Sequence, residues 1–136
     1  MKRVFVIAVC IVMTACAMPR PTTAQGVADG LEANGISYDS IQQAKKPEGR
    51  HFRFDEGIVL VADDLWVEII RIEDERTFGI AEDASGLFKI TEAVVGRELP
   101  GKPELYTRQP FLIIVRQEPE QGQVLEALNE VLPPVE

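Results

Sequence analysis

The chain has 136 residues, 46% of them hydrophobic, with 14 basic against 22 acidic side chains and a formal net charge of −8. That balance argues against a nucleic-acid groove, which needs clustered Lys and Arg facing phosphates, and no such partner is expected. The two cysteines, Cys10 and Cys16, both lie near the N-terminus, so the rest of the chain holds no thiol nucleophile, disulfide or thiolate metal site.

Lys2 and Arg3 form a positive start, Val4 to Met13 is an apolar run, and the small residues Thr14 and Ala15 directly precede Cys16. This is the anatomy of a secretory signal, and the run is too short for a comfortable membrane span. Met13-Thr14-Ala15-Cys16 resembles the lipobox of bacterial lipoproteins, with Met13 where that family usually has leucine. The resemblance covers the leader alone. It implies that Cys16 becomes the acylated N-terminus of the mature protein, and Ala17 after it implies an outer-membrane address facing the periplasm. The alternative is an ordinary cleaved signal, for which Ala15-x-Ala17 and Thr22-x-Ala24 both fit, leaving a soluble periplasmic or secreted protein. Multiple acyl chains on Cys16 would hold the domain at a bilayer, since stable anchoring takes at least two lipid signals.

The expected organisation is a signal peptide over residues 1–15, a lipidated cysteine and tether over 16–26, and one globular domain over 27–136. Without Lys2 and Arg3 the mature chain would carry 12 basic and 22 acidic residues, a net −10. Ala17 to Gly26, with Pro19 and Pro21 and no apolar periodicity, reads as the extended tether. In the next stretch Gly30 and Gly35 weaken a helix by roughly 1 kcal/mol each. The helix is therefore expected later, from Ser37 to Lys46, where Tyr38, Ile41 and Gln42 recur at helical spacing before Pro47 and Gly49.

From His51 the apolar period becomes two. His51 to Asp55 reads as a half-buried strand, Asp55-Glu56-Gly57 as a turn, and Ile58 to Ala62 and Trp66 to Ile72 as a strand pair joined at Asp63-Asp64. Trp66, Glu68, Ile70 and Ile72 share one face of the second strand, Val67, Ile69 and Arg71 the other. Both faces are mostly apolar, which requires cover on both sides. Glu73 to Arg76 reads as a charged turn, Thr77 to Ile80 as a short strand, Glu82 to Gly86 as a loop and Leu87 to Val95 as another strand. Gly96 to Pro103 contains two glycines and two prolines and is a connection. Glu104 to Arg108 fits an edge strand, and Phe111 to Val115 an inner strand buried on both faces. Pro119 to Leu132 carries Val124, Leu125, Leu128, Val131 and Leu132 as one helical stripe. The expected fold is α+β, an antiparallel sheet of five or six short strands with the C-terminal helix packed on one face. A small β-sandwich or barrel is the alternative.

Few residues suggest chemistry. His51 is the only histidine and lacks the partners that a general base or metal site needs. Ser85 sits in turn-forming sequence without a nucleophile elbow. Glu68 interrupts an apolar strand face beside Trp66, where an unpaired buried carboxylate would have a raised pKa; an edge position or an arginine partner would make it ordinary. The acidic turns at Asp55-Glu56, Asp63-Asp64, Glu73-Asp74-Glu75 and Glu82-Asp83 lack a calcium-loop pattern. No catalytic residue, metal site or cofactor is assigned. The expected function is a non-catalytic, lipid-anchored envelope domain that docks a protein or peptide, with Trp66, Phe78 and Tyr106 as candidate contacts. A small-ligand carrier and a carboxylate-dependent hydrolase are the alternatives.

Overall fold

The computed structural model of the chain describes residues 20–44, 54–83, 99–118 and 122–134. In chain order these form α1 (Ala24–Ala33), β1 (Ser40–Gln43), β2 (Glu56–Ala62), β3 (Leu65–Arg71), α2 (Glu75–Asp83), β4 (Glu104–Arg108), β5 (Phe111–Gln117) and α3 (Gly122–Val131). All five strands join one antiparallel sheet in the order β1-β2-β3-β5-β4. The α+β class, the five-strand sheet and the C-terminal helix on one face therefore stand as read from the sequence; the sheet is open, not a sandwich or barrel.

Period-two alternation explains the two covered faces. Ile58, Leu60, Leu65, Val67, Ile69, Phe111, Ile113 and Val115 face one way and pack with Val27, Ala28 and Leu31 of α1 and Val124, Leu128 and Leu132 near α3. Each such side chain contributes roughly 1.5–3 kcal/mol by leaving water. On the opposite face, Ile70, Ile72, Leu112 and Ile114 pack with Phe54 and with Phe78 and Ala81 of α2. Val59, Val61, Trp66 and Leu99 form a second cluster on that side.

Four expectations need correction, each for a local reason. The first helix is not at Ser37 to Lys46 but at Ala24–Ala33, and Ser40–Gln43 is a strand. Gly30, which argued against a helix, sits where α1 crosses α3. A Cβ there would lie 2.8 and 2.9 Å from the two Val131 methyls, so the helices can approach this closely only over a glycine. Gly35, at φ 90°, ends α1. Its N–H bonds the Glu32 carbonyl at 3.0 Å and Ile36 N–H bonds the Leu31 carbonyl at 3.0 Å, the paired bonds of a Schellman stop with an apolar Leu31–Ile36 contact beneath it.

The domain also begins earlier than residue 27. Thr23 caps α1 by accepting from Gly26 N–H at 2.9 Å, and Ala24 is fully buried, so the last residues of the expected tether belong to the helix.

Thr77 to Ile80 is helix, not strand, and the charged turn before it is the helix cap. Asp74 Oδ2 accepts from Thr77 N–H at 2.8 Å and from Thr77 Oγ1 at 2.7 Å, the arrangement that satisfies a free N–H of a first turn. Likewise Glu56 and Gly57 open β2 instead of turning. A Cβ on Gly57 would come within 2.8 Å of Ala44 and 2.9 Å of the Phe54 ring, so this glycine is there for close packing. Of the expected strand at His51 to Asp55, residues 51–53 lie outside the described residues, while Phe54 and Asp55 are described and precede β2; the expected strand at Leu87 to Val95, Cys16 and Ser85 also lie outside them.

Candidate functional site

Glu68 lies on β3, the middle strand, opposite Val59 of β2 and Ile114 of β5. An edge position is therefore ruled out. Its residue exposure is only 5%, and burial pushes the carboxyl up to about 7 from an ordinary carboxylate value. The opposing influence is a hydrogen bond with the Trp66 side chain, whose indole N–H can only donate. No arginine charge is among the causes of the shift, although Arg116, also 5% exposed, shares this face opposite Trp66. Arg116 Nη1 donates to the Gly101 carbonyl at 3.1 Å. Glu68 is thus a carboxyl that gains and loses its proton near neutral pH, sunk in an apolar sheet face.

The three aromatic contact candidates, Trp66, Phe78 and Tyr106, are all buried. Trp66 packs with Val59, Val61 and Leu99, and Phe78 is the apolar anchor of α2 against Ile70, Ile72 and the strand β5. Tyr106 sits beneath the other face, its hydroxyl 2.9 Å from Asn129 Oδ1 and 3.1 Å from the Leu132 carbonyl oxygen. Burial raises the Tyr106 pKa, while the Arg108 and Arg20 charges pull it back. All three carry the fold because an aromatic ring on an inward-facing strand or helix position buries a large area.

A second locus lies where β3 ends and β4 turns into β5 through the cis Gln109–Pro110 bond. Glu56 accepts Ala24 N–H at 3.2 Å and Arg71 Nε at 3.1 Å, Arg71 Nη1 bonds Glu73, and Glu73 N–H bonds Asp55 Oδ2 at 2.9 Å. Beside this rim is an open groove of about 810 Å³ lined by Arg20, Glu73, Thr107, Arg108, Gln109, Pro110 and Pro134. Arg108 is held with its guanidinium carbon 4.6 Å from the centre of the Tyr106 ring, and its Nη1 donates to the Thr107 carbonyl at 2.8 Å. Its Nε is buried without an acceptor.

Sequence reasoning missed both arginines. Arg20 lay in the presumed tether; Tyr106 and Arg108, two apart on an edge strand, were the available signal that a cation covers a ring on one face. The acidic turns do not gather. Asp63-Asp64 closes one end of β2–β3, while at the other Asp55 and Asp74 accept backbone N–H groups and Glu73 pairs with Arg71. Among the described residues no group of three His, Cys, Asp or Glu side chains could hold a metal ion, and no helix there is long and apolar enough to cross a membrane.

Comparison with family models, curated proteins and solved structures returns no match.

Proposed function

We propose that this chain is an exported lipoprotein, held to a bilayer by lipid on Cys16, whose domain is a non-catalytic docking module for an extended segment of an envelope protein. The observation that carries the docking is the β1 edge. Ser40, Ile41, Gln42 and Gln43 are all exposed and uncharged, and among the described residues they pair on one side only, with β2. Edge strands that must stay single are usually guarded by charge, proline or a bulge; β1 has neither charge nor proline, and strand addition is a common way to bind a peptide. Ala44 N–H bonds the Gly57 carbonyl at 3.0 Å, so by ladder alternation the N–H of Gln43 points outward, free for a partner strand.

The start of α1 supports the anchored reading. Cleavage at Thr22-x-Ala24 would strip the Thr23 cap and the buried Ala24 from the domain, whereas processing at Cys16 leaves both. The acidic surface fits a protein that does not self-associate.

The test is photocrosslinking from a reactive residue at Ile41 in intact cells, comparing the otherwise native protein with Gln43→Pro. Proline at 43 removes an outward N–H and leaves the β1–β2 ladder in place. A discrete crosslinked partner that disappears in Gln43→Pro is expected. A partner captured equally well by both would refute strand addition, and capture of none would refute docking at this edge.

A further inference from the structure

The groove beside the β4–β5 turn holds two cations that no described residue neutralises. Arg71, on the neighbouring rim, is occupied by Glu56 and Glu73; among the described residues neither Arg20 nor Arg108 forms an ion pair. In a chain of net −8, two such guanidiniums lining one groove stand out. Arg108 is also not a loosely solvated side chain. It is stacked on Tyr106, tied through Nη1 to the Thr107 carbonyl, and has an Nε–H with no acceptor among the described residues. Nε lies on the opposite edge of the guanidinium from Nη1 and is closed to solvent, so the side-on fork is uncommitted and opens to a ligand when the groove lining gives way. A fixed fork with two parallel N–H donors suits the oxygens of a phosphate or carboxylate, and preorganisation reduces the entropy lost on binding.

Position selects between these anions. Three residues lie between Cys16 and Arg20, four Cα steps or at most about 14 Å of fully extended chain. The polar layer on each side of a bilayer is about 5–7 Å thick. If Cys16 is acylated, Arg20 and the groove it lines are therefore held next to the phosphodiester layer. We propose that the Arg20–Arg108 groove binds the oxyanion of a phosphate ester, presented either by a headgroup of the leaflet that holds Cys16 or by a free phosphate compound. The headgroup source and the choice of phosphate over carboxylate rest on the lipoprotein reading; the anion site itself does not. Glu73 also lines the groove, but its carboxylate is bonded to Arg71. Repulsion between the acidic domain and an anionic surface is screened within about 8–10 Å at physiological salt, whereas the two arginines act at contact.

The experiment follows the arginine Nε–Hε signals of the full ¹⁵N-labelled protein, as purified with its native N-terminus, in two titrations. One uses inorganic phosphate; the other uses bicelles of phosphatidylglycerol in phosphatidylcholine against phosphatidylcholine alone. Shifts confined to Arg20 and Arg108, saturable, and weakened about tenfold by Arg108→Lys, which keeps the charge and loses the fork, are the expected result. Saturation by bicelles at lower total phosphate than the inorganic salt assigns the headgroup; shifts with inorganic phosphate alone assign a free ligand and overturn the headgroup source. No shift in either titration overturns the site. Equal movement of all arginine signals, Arg71 and Arg76 included, reduces the effect to ionic screening and overturns it too. The mass of the mature N-terminus is read on the same sample. Specific phosphate shifts on a chain without acyl mass would remove the anchor and leave the groove standing.

Discussion

Replacing Glu68 with glutamine should stabilise the domain at neutral and alkaline pH, and by an amount that grows with pH. The carboxyl is raised from 4.5 to about 7 by burial, so the folded protein holds a proton that the unfolded chain has released. Stability from this group is present in full below the unfolded value and is lost as pH rises through about 7. The loss approaches about 3 kcal/mol at pH 8, at 1.36 kcal/mol per pH unit of difference.

Glutamine has nearly the same shape, cannot ionise, and can still accept from the Trp66 indole. The advantage of Glu68→Gln over the native chain should therefore grow by roughly 2–3 kcal/mol between pH 5 and pH 8. Urea titrations followed by the fluorescence of Trp66, the single tryptophan, give both stabilities. Taking their difference cancels other groups that titrate alike in the two proteins, including Asp74, whose pKa is lowered by its bonds to Thr77 and whose contribution changes only at acid pH. A difference that stays constant from pH 5 to pH 8 at equal m-values would refute the buried, proton-holding carboxyl.

Two further substitutions test the helices that sequence patterning misplaced. Gly30→Ala puts a methyl within 3 Å of Val131 and should cost about 1–3 kcal/mol, less the roughly 1 kcal/mol that alanine returns as a helix former; in a double-mutant cycle Val131→Ala should recover most of it, and independent effects would mean that α1 and α3 do not meet there. Asp74→Ala removes both bonds to Thr77 and should lower stability by about 0.5–2 kcal/mol with early loss of amide protection over Glu75–Asp83; unchanged exchange there would show that α2 is not capped by Asp74.

The elements read correctly share one property. In β2, β3, β5 and α3 the apolar residues repeat at the period of the element itself, because each presents a face to the core along its length. The faces of β3 were legible for the same reason, since strand parity puts Trp66, Glu68 and Ile70 together whatever lies around them. The misplaced elements are governed by one glycine or one carboxylate whose role depends on a neighbour distant in sequence. Gly30 looks like a helix breaker until Val131 is seen against it, and Gly57 looks like a turn until Phe54 and Ala44 occupy the space of its missing Cβ. Asp74 reads as solvated charge, although a carboxylate three residues before a threonine was a helix-start signal in its own right.

Chemistry divides in the same way. That Glu68 interrupts an apolar strand is written in the chain; that the strand is the middle one, leaving the carboxyl with a tryptophan in place of an arginine, depends on sheet order, which pairs β3 with β2 and with β5 from over forty residues downstream. The Arg20–Arg108 groove has no local signature at all. One arginine precedes the first helix and the other ends an edge strand 88 positions later, and only the folding of α1 and β4 at the same end of the domain makes them neighbours. Periodicity is a property of adjacent residues and so belongs to the sequence; burial, register and charge pairing are properties of the space between elements, and the tertiary structure alone assigns them.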